Sequence, residues 1–293
     1  QLIGVLVDSR APRILFRLLT YIEKEAAHYG YRIIIGEAHD NMEHFREIHQ
    51  TLKQYNTDGI ICLAHDYPGQ EEEFRRVFDG ARNMVFVGRP KLDTASYVDI
   101  DRSLAVRNGV EHLLSQGCRK IGMVCTSLNY ISVTSKVTLF KDVIQSHGIA
   151  PEDAESMIYR VSNKSREEGV VELCEKWIIP GHCDGIFVEN DVWAAMICKY
   201  LQKKGLSVPR DIGIIGSDND EFCTYTSPEL SSIDDEQELQ AACAVKMLME
   251  LLSDKKTGRI SRSMTIQSRL VVRESSFRDI STDNNFNKSM SRA

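Results

Sequence analysis

The sequence predicts an α/β fold of two similar doubly wound parallel-sheet lobes. Three observations predict it. Short apolar runs alternate with stretches whose apolar residues recur at helical spacing. The alternation runs to Ile100 and then restarts at Arg102. The apolar runs are continuous rather than every-other-residue, as strands covered on both faces require. A chain of 293 residues is long enough for two such lobes, each with its own core.

Leu2–Val7 is the first strand, ending at Asp8. Pro12 starts a helix whose Ile14, Leu15, Leu18, Leu19 and Ile22 face a core, and Gly30 closes it. Tyr31–Ile35 is the second strand. Glu43–Tyr55 is a helix with Phe45, Ile48 and Leu52 on one face. Asp58-Gly59 turns into strand Ile60–Leu63, and a loop with His65, Asp66 and Pro68 follows. Glu71–Phe78 is helical, Met84–Val87 is a strand, and Tyr97–Ile100 is a short extended piece.

In the second half Arg102–Gln116 is a helix ended by Gly117, and Lys120–Cys125 is a strand. Ser135–Ser146 is a helix, Pro151 opens a loop, Met157–Val161 is a strand and Ser165–Trp177 a helix. The most legible stretch runs from Asp184 to Asp220. Gly185–Val188 is apolar, Asn190 stands where a helix N-cap would, and Asp191 suits the helix dipole. Trp193, Met196, Ile197, Tyr200 and Leu201 share a face, Gly205 and Pro209 stop the helix, and Ile212–Ile215 leads to Asp218. A parallel strand–helix–strand unit brings Asn190 and Asp218 to the carboxyl edge of one sheet, where open α/β sheets bind ligands. Ser231–Ile233 is short and extended, and Glu236–Leu252 is a helix. Ser263–Val272 reads as an edge strand pair or one bent strand, and the polar stretch from Ser275 onward as a disordered tail or linker.

Composition narrows the function. A net charge of -6 argues against nucleic-acid binding by this chain alone, because phosphate contacts need clustered Lys and Arg. Eight scattered cysteines without a CxxC read as buried free thiols of a reducing, cytoplasmic setting. No apolar run is long enough to span a membrane. No Gly-x-Gly-x-x-Gly follows a strand, and there is neither a phosphate loop nor a Gly-x-Ser-x-Gly elbow. His39, His44 and His49 read as a solvated helix face rather than a zinc set, and Cys174, His182 and Cys183 lack a fourth ligand. The carboxylate pairs Asp218/Asp220 and Asp234/Asp235 have no nucleophile beside them; hydrogen-bonding a polyol suits them as well as acid–base work. No catalytic residue, cofactor or metal is expected.

Taken together, IGVLVDS at Ile3–Ser9, VDIDRSLAVRNGVEHLLSQGCRKIGMV at Val98–Val124, DGIFVENDVWAA at Asp184–Ala195 and GLSVPRDIGIIGSDND at Gly205–Asp220 resemble the effector-binding region of the LacI/GalR family of bacterial transcriptional regulators. TSPELSSI at Thr226–Ile233 and RLVVRESS at Arg269–Ser276 extend the resemblance to nearly all of the chain before the tail. It implies a periplasmic-binding-protein-like type I fold with a ligand cleft between the two lobes, and crossings near Asp101, Asp234 and Ser263. The lobes would then be 1–101 plus 235–262 and 102–234 plus 263–275, with 276–293 as tail. It also implies a cytoplasmic homodimer that reaches operator DNA only through a helix-turn-helix module not contained in this sequence.

By the same resemblance the ligand contacts fall on Asp8, Lys136, Asn190 and Asp218, with Asp235, Lys164 and His65 also expected at the site. Asn190 and Asp218 together donate to and accept from vicinal hydroxyls. Lys136 replaces a usual Arg and loses its planar fork. Lys164 and Ser217 stand where many members carry aromatics, and Asp235 where many carry Gln. Two lysines would suit an acidic effector such as a sugar acid. The function implied is control of DNA binding by a small polar effector, a sugar or sugar derivative. The alternatives are a periplasmic-type solute carrier, a sensor fused to another output module, and a small-molecule α/β enzyme using Asp218 and Asp235.

Overall fold

The computed structural model describes residues 1–7, 12–38, 42–63, 69–78, 81–126, 131–161, 165–254 and 261–278. The chain divides into two compact units, 1–101 with 236–267 and 102–235 with 268–293.

The first unit carries strands β1 (Leu2–Val7), β2 (Arg32–Glu37), β3 (Gly59–Cys62), β4 (Met84–Val87) and β5 (Ser96–Asp101). Helices α1 (Pro12–His28), α2 (Met42–Gln54) and α3 (Glu71–Phe78) connect them. Ile3, Val5, Leu18, Ile22 and Ile61 pack on one side with the later helix α9 (Gln237–Ser253); Leu6, Phe45, Leu52, Phe74 and Phe78 pack on the other. Both faces of the sheet are therefore covered, which is why its strands are apolar throughout.

The second unit begins with α4 (Ser103–Ser115), β6 (Ile121–Thr126) and α5 (Ile131–Ser146). Next come α6 (Pro151–Ser156), β7 (Ile158–Val161) and α7 (Arg166–Leu173), which runs on as one π-helical turn over Cys174–Ile178. The stretch expected to be a loop after Pro151 is thus helix α6. Proline occupies its first turn, where its missing N–H costs no hydrogen bond. Strand β8 (Gly185–Val188), helix α8 (Asp191–Lys203), strands β9 (Gly213–Ser217) and β10 (Ser231–Asp234) complete the alternation. Ile197 and Leu201 of α8 are fully buried, each contributing about 2 kcal/mol by removal from water.

Two late strands, β11 (Ser263–Gln267) and β12 (Arg269–Val271), are added to different sheets. The first sheet has the order β11-β5-β4-β3-β1-β2 and is parallel throughout. The second has the order β12-β10-β9-β8-β6-β7, with only β12 antiparallel.

Three boundaries differ from expectation. Ser263–Gln267 pairs in register with β5 and so belongs to the first unit; the change of unit comes after Gln267, not before Ser263. The alternating pattern of 263–272 is uninterrupted and does not disclose that it feeds two sheets. Asp235 stays with the second unit, where Arg102 holds it at 2.6 Å. The polar tail is packed at least to Arg278. Ser276 is fully buried and donates to Ser231 Oγ at 2.7 Å, and Arg278 donates to the carbonyls of Pro209 and Asp184 at 2.7 and 3.0 Å. The remainder of 276–293 lies outside the described residues.

Candidate functional site at the carboxyl edge of the second sheet

Strand order reverses between the neighbouring strands β6 and β8 of the second sheet. Ligands of open α/β sheets gather at the carboxyl ends beside such a reversal. There β8 delivers Glu189, Asn190 and Asp191, β9 delivers Asp218, and β10 delivers Asp234 and Asp235.

Lys136 on α5 is buried, and its Nζ donates to the Glu189 carbonyl at 2.9 Å. Asn190 caps α8 in extended backbone, its side-chain oxygen accepting the Trp193 N–H at 3.1 Å. Its amide also donates to Glu189 Oε1 at 3.3 Å. Asp191 is expected as a first-turn charge, but it is buried and reaches away from its helix. It accepts the Ser232 hydroxyl at 2.6 Å and the Asp220 N–H at 2.8 Å. Gly216 makes room for it: a Cβ there would lie 2.2 Å from Asp191 Oδ1. Burial pushes the Asp191 carboxyl up to about 6, with Ser232, the Asp220 N–H, Cys223 and Lys136 opposing.

Asp218 has φ +100 and Asn219 φ +45, left-handed conformations that cost non-glycine residues about 1–3 kcal/mol each. Neighbouring contacts hold the turn. The Asp218 N–H donates to the Ile233 carbonyl at 2.8 Å, the Asn219 N–H to Ser232 Oγ at 3.0 Å, and the Asn219 amide to Asp234 at 3.1 Å. Arg273 donates to Asn219 Oδ1 at 2.7 Å. Burial pushes the Asp218 carboxyl up to about 8; Lys136 and Arg102 oppose that rise, while Asp191 and Asp235 add to it. Asp234 is held by Arg269 at 2.8 Å, and Asp235 accepts both Nε and Nη2 of Arg102 at 2.9 and 2.6 Å.

The structure therefore brings Lys136, Asn190, Asp218 and Asp235 to one sheet edge. Asp8, His65 and Lys164 lie outside the described residues. Sequence reasoning missed Arg102, Asn219, Ser232, Arg269 and Arg273. The only signal for the two outer arginines is their alternation on the late strand; nothing local marks Arg102 as the partner of a residue 133 positions away. His49, expected on a solvated face, is only 3% exposed and packs on Phe78 at 5.0 Å, whereas His44 is exposed. The aromatic cluster of α2 and α3 covers it.

Seven of the eight cysteines are buried, and all eight are free. Burial pushes the Cys125 and Cys198 thiols up to about 11 and those of Cys174 and Cys183 up to about 12, so these are packing residues rather than nucleophiles. Among the described residues no group of three His, Cys, Asp or Glu side chains is arranged to hold a metal ion. No described helix is long and apolar enough to cross a membrane.

The geometry defines an α/β binding unit of the doubly wound kind, with a charged, hydrogen-bonded edge. A family model described as a periplasmic binding protein-like domain matches residues 110–276. The chain belongs to that family, as the effector-binding region of a LacI/GalR-type transcriptional regulator. The HTH-type transcriptional repressor PurR of Salmonella paratyphi B is 24% identical over 299 residues, 93% of this chain and 79% of that protein. A periplasmic binding protein/LacI transcriptional regulator from Alkaliphilus metalliredigens, solved with D-xylulofuranose, superposes with a TM-score of 0.74 at 20% identity, covering 94% of this chain and 99% of that one. The Lac repressor dimer bound to operator and the anti-inducer ONPF gives 0.77 at 18%, covering 94% and 93%. At these identities the two solved structures bear on the fold alone.

Proposed function

We propose that this chain senses a small, neutral, polyhydroxylated effector, a sugar or sugar derivative, at the carboxyl edge of the second sheet. Its occupancy governs DNA binding by the regulator. One observation carries the reading: three adjacent strand ends deliver an amide and several carboxyls, and helix α5 an ammonium, into one partly desolvated patch. Such a set donates to and accepts from hydroxyls in alternation. A neutral effector fits better than a sugar acid. Lys136 already faces Asp191, whose value of about 6 leaves it mostly ionised at neutral pH, and Arg102 is paired with Asp235, so little positive charge is left for a ligand carboxylate.

The chain acts by binding rather than by catalysis, in the cytoplasm with the DNA it would control. We place it in a homodimer. Phe16 on α1 and Ile35 on the edge strand β2 are 70% and 51% exposed, apolar surface of the kind association covers. Sedimentation equilibrium giving a monomer at micromolar concentration would remove the dimer.

The test of the site is a thermal-shift panel of neutral sugars, sugar acids and purines. A true effector raises the melting temperature by mass action. Asp218→Ala should weaken that effector about tenfold or more, the loss of one buried hydrogen bond to a charged or polar group. An undiminished shift in the variant would place the site elsewhere. A shift with sugar acids alone would reverse the assignment of charge.

A further inference from the structure

The chain passes from one unit to the other three times, at 101/102, 235/236 and 267/268. The crossings are tied to one another in different ways. The first and third leave the first sheet side by side, because β5 pairs with β11 and Gln267 lies opposite Asp101. The second and third meet in the second sheet, because β10 pairs with β12 and Asp234 lies opposite Arg269. Among the described residues no ladder joins the first and second, since β5 and β10 belong to different sheets. Side chains close that third side of the triangle. Arg102 Nε and Nη2 both donate to Asp235 Oδ2, at 2.9 and 2.6 Å.

Arg102 is poorly placed for its own helix. It is the N-cap residue of α4, and its side chain makes no cap bond. Free N–H groups there need an acceptor, and a cation opposes the helix dipole. The pair with Asp235 accounts for an arginine at that position. Its side chains are 19% and 10% exposed, so solvent ions screen it little. The next residue is the second observation. Glu236 has φ +54 and ψ +51, a left-handed backbone without glycine, and it starts α9 with no side-chain cap bond. Residues at the ends of elements are where backbone turns are absorbed, and strain of this kind marks switch regions.

We propose that the Arg102–Asp235 pair is the releasable tie of the three crossings: made, it holds the second crossing in step with the other two; broken, it frees that crossing to turn at Glu236. A strand ladder opens only cooperatively, whereas one ion pair can exchange partners, so this is the side of the triangle on which a signal can act. Both residues also bear on the Asp218 carboxyl, Asp235 raising it and Arg102 opposing the rise. The tie therefore adjoins the carboxyl edge of the second sheet, but it does not depend on what binds there.

Amide hydrogen exchange on the full chain, resolved to single residues, tests the tie. The Gln240 N–H donates to the Glu236 carbonyl at 2.9 Å and reads the second crossing. The amides of β11 and β12 read the two ladders. Arg102→Gln should speed Gln240 exchange about tenfold, the loss of one hydrogen bond to a charged group, and leave the ladder amides within about twofold. Asp235→Asn should do the same from the other crossing. The two together should add little to either alone, because one tie is lost once. Arg102→Lys keeps the charge and one contact, and should give a smaller rise of about threefold; it serves as the milder variant if the others fold poorly. Unchanged Gln240 exchange would overturn the proposal. So would equal acceleration at Gln240 and in both ladders, which would make the pair a general stabiliser, or fully additive single effects, which would mean that the two residues act apart.

Discussion

The two units repeat one strand order, each finished by a strand from the late chain, yet one buried polar residue in each, Asp191 and His49, is accommodated in opposite ways. In the second unit the buried Asp191 is met by a hydroxyl and a backbone N–H. In the first the buried His49 Nε2 is met by nothing, and its neighbours are the rings of Phe78 and its cluster. Burial drives both toward their neutral forms: Asp191 up to about 6, and His49 down to about 4 with Lys53 adding to the fall. The difference is what else depends on them. Asp191 ties the start of α8 to β10 and to the turn after β9, so it organises the carboxyl edge of the second sheet. His49 organises nothing visible beyond its own packing.

The sharpest way to break this contrast is to remove Asp191. Asp191→Ala leaves the buried Ser232 hydroxyl with only the longer contact to the Ile233 carbonyl at 3.3 Å and takes the acceptor from the half-buried Asp220 N–H, and should cost about 2–3 kcal/mol. Asp191→Asn keeps one acceptor oxygen and should cost about half as much. Urea unfolding read by tryptophan fluorescence is suited to it, because Trp177 and Trp193 both lie in the second unit. A loss below about 1 kcal/mol in the alanine variant would mean that the network does not hold the edge together.

The pH response should separate the units by sign. Asp218 and Asp191 have folded values raised above the ordinary carboxylate value of 3.8, to about 8 and about 6. Their contribution to stability is complete below pH 3.8 and is lost as pH rises, the last of it as pH passes 8. Asp218→Asn should flatten that decline between pH 6 and 8, a change of about 2 kcal/mol across the window. His49 runs the other way. Its folded value lies below 6.5, so its contribution is present above pH 6.5 and is lost as pH falls toward 4. His49→Phe should remove that acid-side loss, stabilising the first unit by about 1–2 kcal/mol near pH 4.5 with little effect at pH 8. Amide exchange on α2 would read it. An acid arm unchanged in the variant would show that His49 is not buried neutral.

The sheets were legible because continuous apolar runs can only be strands covered on both sides, and Ile3, Val5, Ile61, Ile186 and Ile214 are indeed fully buried. Asn190 was legible as a cap because capping is local: the donor it serves is three residues away. Asp218 was legible only through resemblance and strand order, and its left-handed backbone has no glycine to announce it. What sequence could not give was pairing at a distance. Arg102 with Asp235, Ser232 with Asp191 and Arg273 with Asn219 each join residues 41 to 133 positions apart, and a polar residue looks the same whether its partner is water or a buried carboxylate. His49 failed for a related reason. Its spacing from Phe45 and Leu52 puts it on the apolar face of α2, a signal the histidine's polarity masks, and α3 with Phe74 and Phe78 completes its cover.

The smallest effect sharpens the role of burial in the contrast. Ser165 and Glu168 at the start of α7 form a reciprocal capping box, the serine hydroxyl accepting the Glu168 N–H at 3.3 Å and the carboxylate accepting the Ser165 N–H at 3.3 Å. In connectivity this resembles Asp191 with Ser232 and Asp220: a carboxylate, a hydroxyl and a backbone donor satisfied together. It differs in that water can replace every partner, since both residues are exposed. Ser165→Ala should therefore cost about 1 kcal/mol, near the middle of the range for a lost cap, and Glu168→Ala about half of that. If instead Ser165→Ala matched the loss from Asp191→Ala in the same urea series, burial would not be what makes the inner network matter, and hydrogen-bond count alone would account for both.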